Sequence, residues 1–246
     1  MTNLTPTPPL LLIPGHWLGA WAWDDLLPHL EVDATRVSAI TLPGLDADDD
    51  ARATRTVADQ AAAILEAMTG LGASHEDPAV LVAHSGANAP VSLVLDQHPA
   101  RVRRVVWVDS GPLATGTAFA PDFPDAAADL PLPPFDALAQ QASLDGLSPS
   151  HLERFRTRAV PEPGPVIREP IVLTNAARRA VPTTLVCCSI TSAQVREWAN
   201  GGHPMFAEVA LLEHVETIDL PTGHWPMWSR PRDLAAVIAS AVCGSV

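Results

Sequence analysis

Six short apolar runs recur along the chain, and segments with helical spacing of apolar residues lie between and after them. The runs are PLLLI (9–13), TRVSAITLPG (35–44), AVLVAH (79–84), RVVWVDS (104–110), TTLVCCS (183–189) and VETIDL (215–220). Most are continuously apolar rather than alternating, which is typical of parallel strands covered on both faces. The pattern predicts an α/β protein with an open, doubly wound, mostly parallel sheet.

The segments with helical periodicity are 21–30, 56–70, 87–98, 192–200 and 233–242. Residues 112–180 interrupt the alternation of strands and helices. They are rich in Pro, Ala and Asp, and they carry only weak helical patterns, in FDALAQQASLDGL and SPSHLERFRTRAV. A segment of this length is too long for an ordinary loop. We therefore expect residues 112–180 to form a small helical cap inserted into a single domain spanning residues 1–246.

Composition narrows the classes of function. The chain has 246 residues, of which 47% are hydrophobic and 17% charged, as expected for one large globular domain. Its net charge of −13 argues against nucleic acid and anionic membranes as partners. The chain contains no Lys and no Tyr, which excludes a Lys Schiff base, a P-loop lysine and tyrosine-based acid catalysis.

Location and metal binding are also constrained. The first fifteen residues, MTNLTPTPPLLLIPG, lack the basic region and the long apolar run of a signal peptide. No run reaches the roughly 18–20 apolar residues of a membrane helix. The three cysteines form no evident disulfide framework, so we expect a cytoplasmic protein. The nine histidines show no zinc-binding spacing, so we expect neither a metal nor a cofactor.

Reactive side chains follow several of the predicted strands. In an open parallel sheet, ligands bind beyond the carboxyl ends of the strands. The positions there are His16, Ser85, Asp109 and His224. Each one alone is most simply a turn or surface residue. Together, Ser, Asp and His occur in the chain order of the serine triad in α/β-hydrolases.

The chain resembles the α/β-hydrolases over nearly its whole length. AHSGA (83–87) stands where their nucleophile elbow G-x-S-x-G would lie, with Ala83 and Ala87 in place of the outer glycines. TGHWPMWSRP (222–231) closely resembles the catalytic-histidine loop of the family. The resemblance implies that Ser85 is a nucleophile and that His224 is its general base.

A third segment resembles the oxyanion loop of the same family. IPGHWLGAWAWDDL (13–26) is similar to the motif H-G-x-x-x-G-x-W, with Pro14 in place of the usual His. In the family, the residue after the first Gly and the residue after the nucleophile supply backbone N–H groups to the oxyanion. The resemblance implies that these residues are His16 and Gly86.

The position of the acid departs from the commonest pattern. Most members carry it after the strand that follows the insertion, but that segment reads TTLVCCSITSAQ and has no Asp or Glu. Haloalkane dehalogenases carry the acid one strand earlier, after the sixth strand in the family's count. The corresponding residue is Asp109, 24 positions after Ser85. Asp219 is an alternative near His224, although it lies within its predicted strand.

The leading hypothesis is a cofactor-free serine hydrolase that cleaves a carboxylic ester, thioester or lactone. The apolar content of the predicted cap indicates a small-molecule, apolar acyl substrate. Trp17, His203 and Trp225 are candidate pocket residues, whereas His84 is expected to pack or form a hydrogen bond.

Two alternatives keep the fold but change the function. One is a lyase, cyclase or acyltransferase that uses the same triad, and the other is a ligand-binding protein without turnover. The hydroxynitrile lyases of the family use an added Lys, which this chain lacks. A dehalogenase needs Asp where Ser85 stands.

Overall fold

The computed structural model describes residues 7–244, so residues 1–6 of the segment tested for a signal peptide and residues 245–246 lie outside the description. Six strands form the main sheet: β1 (Leu10–Ile13), β2 (Val37–Ala39), β3 (Ala79–His84), β4 (Val102–Val108), β7 (Thr183–Cys187) and β8 (Val215–Asp219). They are parallel, and their order across the sheet is β2-β1-β3-β4-β7-β8. The predicted parallel α/β sheet is confirmed, with each strand falling on one of the six apolar runs.

Eight α-helices accompany the strands in the described residues. They are α1 (Val57–Gly70), α2 (Asn88–Gln97), α3 (Phe135–Leu138), α4 (Pro149–Arg158), α5 (Gly164–Arg168), α6 (Ser192–Asn200), α7 (Pro226–Ser229) and α8 (Pro231–Cys243). Helix α1 begins at Val57, one residue after the predicted start, and Thr56 is its N-cap: the Thr56 hydroxyl accepts the N–H of Asp59, while the Asp59 carboxylate accepts the N–H of Thr56. Between residues 7 and 244, no helix is long and apolar enough to cross a membrane.

The helix predicted for residues 21–30 is wrong. The structure has two 3-10 turns there, Ala20–Trp23 and Leu27–His29. Pro28 explains the break, because its ring has no N–H to donate and would collide with the carbonyl four residues earlier in an α-helix. The apolar spacing instead reflects buried side chains such as Trp23 and Leu26, which belong to the core.

Both faces of the sheet are covered. Along β1, Leu10 and Leu12 pack in one core cluster that includes residues of α8, while Leu11 and Ile13 pack in a second with residues of α1, α2 and α6. All four side chains are fully buried. Successive residues of a strand point to opposite faces, so a strand covered on both sides must be continuously apolar.

The segment between β4 and β7 contains α3, α4, α5 and a separate two-stranded antiparallel sheet. Its strands are β5 (Asp129–Leu130) and β6 (Glu162–Pro163). The second weak helical pattern of the sequence becomes α4, whereas the first becomes only the four-residue α3. Arg52, which precedes α1, joins this small sheet to the rest of the molecule: its guanidinium donates to the carbonyl of Pro161 and to the Asp129 carboxylate.

Candidate active site

Three residues at the carboxyl edge of the sheet hold an unusual backbone conformation. Trp17, Ser85 and Asp109 have φ angles of 65°, 49° and 44°, and they are the non-glycine residues of positive φ within the described chain. Such a conformation costs on the order of 1–3 kcal/mol and persists only where the surroundings enforce it. The strain therefore marks the turns after β1, β3 and β4.

Close packing enforces the turn at Ser85. A Cβ placed on Gly15 would lie 2.7 Å from the Cβ of Ser85 and 2.8 Å from the carbonyl oxygen of His84, so the two loops can approach only because residue 15 is glycine. Ala83 and Ala87, which replace the outer glycines of the elbow, are fully buried in the core. The left-handed turn at Ser85 forms with these alanines in place.

Ser85, His224 and Asp109 form a continuous hydrogen-bonded chain. The Ser85 hydroxyl lies 2.8 Å from Nε2 of His224, and Nδ1 of His224 lies 2.6 Å from Oδ2 of Asp109. A carboxylate can only accept, so His224 donates from Nδ1 and its Nε2 accepts the hydroxyl proton of Ser85. The chain joins the ends of β3 and β4 to the loop after β8.

The Asp109 carboxylate has further donors from the loop after β7. It accepts the N–H of Cys188 at 3.0 Å, the N–H of Ser189 at 2.8 Å and the hydroxyl of Ser189 at 2.5 Å. Burial raises the pKa of Asp109, but hydrogen bonds from His224 and Ser189 outweigh it and hold the pKa below its usual value. The group is thus an ionised, oriented acceptor for His224.

Sequence reasoning missed Ser189, although its place directly after a strand offered a signal. It lies in the loop after β7, the strand that in most α/β-hydrolases precedes the acid, and it donates to Asp109 from the neighbouring strand β4. Asp219, the alternative acid, accepts the backbone N–H and hydroxyl of Ser192 at the start of α6. Its carboxylate therefore binds the N-terminus of α6.

His84 anchors the loop that carries His224. Its Nε2–H donates to the carbonyl of His224 at 2.8 Å, and burial lowers the pKa of His84 to about 3. His84 is therefore neutral and serves as a hydrogen-bond donor. From the other side, the backbone N–H of His224 donates to the carbonyl of Ser143 in the inserted segment.

The backbone N–H groups predicted to serve the oxyanion are those of Gly86 and His16. Gly86 lies in the first turn of the helical segment after β3, where N–H groups lack an intrahelical acceptor. The N–H of His16 donates to no acceptor among the described residues. The next residue, Trp17, donates its N–H to the buried carboxylate of Glu162 at 3.2 Å, which fixes this loop.

A cavity of about 490 Å³ opens onto Ser85 and His224. Its walls are largely apolar and come from the sheet edge, from the inserted segment and from the residues after α6. They include Ala89, Leu113, Ala118, Phe119, Val166, Ile190, Val195, Met205 and Val209. His16, Gly86 and Asp109 also border the cavity.

None of the three predicted pocket residues, Trp17, Trp225 and His203, borders this cavity. Trp17 and Trp225 are core residues, and the indole N–H of Trp17 donates to the carbonyl of Leu130. His203 stacks on Trp198, and its Nδ1 accepts the N–H of Met205 at the start of a 3-10 turn. Its neighbours in sequence, rather than its own ring, face the cavity.

In residues 7–244, no group of three His, Cys, Asp or Glu side chains could hold a metal ion. Cys187 borders the cavity, but burial raises the pKa of its thiol to about 12, which keeps it protonated.

The protein thus combines an α/β fold with a hydrogen-bonded Ser, His and Asp at the carboxyl edge of a parallel sheet. A model of the alpha/beta hydrolase family matches residues 10–237. The chain belongs to this family, which confirms the resemblance seen in the sequence.

Relatives and solved structures agree with this assignment. The chain is 31% identical to methylesterase 4 of Arabidopsis thaliana over 113 residues, which are 46% of this chain and 40% of that protein. It thus spans less than half the length of that curated relative.

Two solved structures match nearly the whole fold. An extracellular alpha/beta-hydrolase from a Paenibacillus species has a TM-score of 0.70 at 19% identity, covering 94% of this chain and 98% of its own. A methylesterase from Arabidopsis has a TM-score of 0.66 at 16% identity, covering 95% and 98%. At these identities the likeness is one of fold.

Proposed function

We propose that this protein is a serine hydrolase that cleaves carboxylic esters, thioesters or lactones through Ser85, His224 and Asp109. The observation that carries the proposal is the continuous hydrogen-bonded chain from the Ser85 hydroxyl through His224 to the Asp109 carboxylate. The partial matches to methylesterases support an esterase rather than another reaction of this fold.

The proposed reaction starts with proton transfer. A neutral Ser hydroxyl is a weak nucleophile, so Nε2 of His224 takes its proton as the oxygen attacks the substrate carbonyl. Asp109 keeps the imidazole in the Nδ1–H tautomer and stabilises the imidazolium that forms. The acceptor geometry at Asp109, with four donors in place, suits this role because it needs no rearrangement during the step.

The oxyanion of the tetrahedral intermediate is placed between the N–H groups of His16 and Gly86. Each such donor contributes about 10²–10³ in rate. His224 then returns its proton to the leaving alcohol, and an acyl group remains on Ser85. Water, deprotonated by His224, hydrolyses this ester and restores the enzyme.

The cavity supports an apolar acyl substrate of small to medium size. Its volume of about 490 Å³ falls within the range of small-molecule pockets, and its walls are mainly aliphatic. The inserted segment 112–180, which we propose as the cap, contributes Leu113, Phe119 and Val166 to those walls. Substrate choice is thus assigned to the cap.

The test combines covalent labelling with turnover. A fluorophosphonate should add once to the wild-type protein and not to Ser85→Ala, as read by intact mass, and wild type should hydrolyse p-nitrophenyl esters. Labelling without release of acid from any ester would favour a ligand-binding protein. A folded wild-type protein that is not labelled would refute an activated Ser85.

A further inference from the structure

A second carboxylate–histidine pair lies beside the proposed oxyanion position. Nδ1 of His16 is 3.0 Å from Oε2 of Glu162, and both side chains are buried, with 8% and 1% exposed. Glu162 reaches His16 from β6 of the inserted segment. The proposed ester hydrolysis uses only the backbone of His16, so the pairing of its side chain is unexplained by that mechanism.

Glu162 fixes the tautomer of His16. The carboxylate accepts from Nδ1 of His16, from the N–H of Trp17 and from the side-chain amide of Gln60 at 3.4 Å. A carboxylate oxygen accepts in all three contacts, so Nδ1 of His16 carries the proton that it donates to Glu162. Nε2 is left as the free end of the imidazole.

The imidazole is also fixed by packing. A Cβ on Gly86 would lie 2.4 Å from Cδ2 of His16 and 2.5 Å from Nε2, so the ring lies directly against the Cα of Gly86. Phe119 packs on the ring with centroids 4.5 Å apart. No hydrogen bond among the described residues engages Nε2, and His16 borders the cavity that contains Ser85.

From this geometry, which rests on the proposed function, we propose that the His16 side chain binds a hydroxyl group of the substrate next to the ester carbonyl. Gly86 supplies one N–H of the proposed oxyanion position, and the imidazole packed against its Cα is therefore a neighbour of that position. Nε2 donates when the ring is an imidazolium and accepts when it is neutral. A hydroxyl complements both states, because it can donate and accept. The substrate class is a 2-hydroxy ester, and Glu162 is the positioning residue.

The test compares methyl 2-hydroxyhexanoate with methyl 2-methylhexanoate, which has a methyl group of similar size in place of the hydroxyl. The measured quantity is the ratio of their kcat/KM values, for each enantiomer, in wild type and in His16→Phe. Dividing the wild-type ratio by the variant ratio cancels the intrinsic reactivity of the esters. We expect this quotient to reach tenfold or more for one enantiomer, since sites built to bind a hydroxyl discriminate strongly against its absence.

Two further variants keep the test decisive. In His16→Phe the buried Glu162 carboxylate loses its histidine partner, which could prevent folding. The double variant His16→Phe/Glu162→Gln replaces that carboxylate by a neutral amide and should give the same quotient as His16→Phe. His75→Phe, at an exposed position, should keep the wild-type ratio. A quotient near one in the folded variants would overturn the inference while esterase activity and Ser85 labelling persist. Absence of labelling and of all ester turnover would instead refute the proposed function.

Discussion

At the scale of single residues, the three positive φ angles coincide with the loops of the proposed site. Ser85 and Asp109 are two of these positions, and Trp17 follows His16 directly. The motifs in the sequence could place these residues after strands, but they could not reveal the partners that hold them. Glu162 lies between two prolines in PEPGP and carries no sequence signal, because its role depends on a contact with residues 145 positions away.

Replacing Asp109, the proposed acid, should lower activity without unfolding the protein. Asp109→Asn is expected to lower kcat by about 10³–10⁴-fold, because an amide can donate to Nδ1 and hold His224 in the wrong tautomer. The measurement is kcat for a p-nitrophenyl ester alongside the thermal midpoint. Asp219→Asn is the matched control and should keep its activity, since that carboxylate serves α6. Near-full activity in Asp109→Asn would disprove the assignment of the acid.

His84 should make the protein sensitive to mild acid. Its pKa is about 3 in the folded state and about 6.5 when unfolded, so the unfolded chain takes up the proton first. The contribution of neutral His84 to stability is full above pH 6.5 and is lost as the pH falls toward 3. The loss approaches about 1.4 kcal/mol per pH unit.

Denaturant unfolding at pH 7 and pH 4.5 measures this effect. Over that interval His84→Gln, which keeps a donor for the His224 carbonyl, should lose about 2 kcal/mol less stability than wild type. The exposed His75→Gln should follow the wild-type curve. An equal pH dependence of all three proteins would mean that folding does not lower the pKa of His84.

At the scale of elements, the sequence located all six strands of the main sheet, because continuous burial leaves a continuous apolar run. The bounds were less well predicted: the run 35–44 contains only the three-residue β2. The pairing of β5 with β6 left no readable pattern, since two-residue strands have no periodicity. Helix α3 has only four residues, because later apolar residues of the predicted helical pattern, Leu144 and Leu147, pack against the core from a loop.

The approach of the β1 loop to the elbow predicts a steric defect. Gly15→Ala should destabilise the fold by about 1–3 kcal/mol and reduce activity, because its Cβ would meet Ser85 and the His84 backbone. At Gly70, the last residue of α1, a Cβ would meet nothing within 4 Å. Gly70→Ala should therefore be neutral or stabilising by up to about 1 kcal/mol. The free energy of unfolding of both variants should be measured by thermal and denaturant unfolding. Equal values for Gly15→Ala and Gly70→Ala would contradict the prediction.

The contact between Ser189 and Asp109 predicts that the acid can be moved to the neighbouring strand. The Ser189 hydroxyl is 2.5 Å from the Asp109 oxygen that His224 contacts, so a carboxylate at 189 should reach the same place. The double variant Asp109→Asn/Ser189→Asp should have a kcat at least tenfold higher than that of Asp109→Asn. Ser189→Asp alone should reduce activity, because two carboxylates would face each other. No recovery in a folded double variant would show that β7 cannot present the acid.

At the scale of the whole molecule, the cavity lies between the sheet edge, the inserted segment and the residues after α6. The sheet edge supplies the proposed reacting groups, while the inserted segment supplies apolar walls, the Glu162 carboxylate and the Ser143 carbonyl that holds the His224 loop. The sequence indicated an insertion of this extent but not its contacts. Composition records that a segment is apolar, whereas the identity of a bound acyl group depends on how its side chains close around the site.

The shared cavity predicts that a change in the inserted segment alone should alter the preferred acyl length. Ala118 borders the cavity, so Ala118→Leu extends a side chain into it. We expect kcat/KM for p-nitrophenyl octanoate to fall by about tenfold or more, while that for the acetate changes little, since each methylene in an apolar pocket contributes about 10-fold or more. Ala126→Leu, at an exposed position of the same segment, should leave both values unchanged. Equal losses for acetate and octanoate would place the acyl chain elsewhere. A loss confined to the octanoate would show that the cavity wall around Ala118 limits the length of the acyl chain.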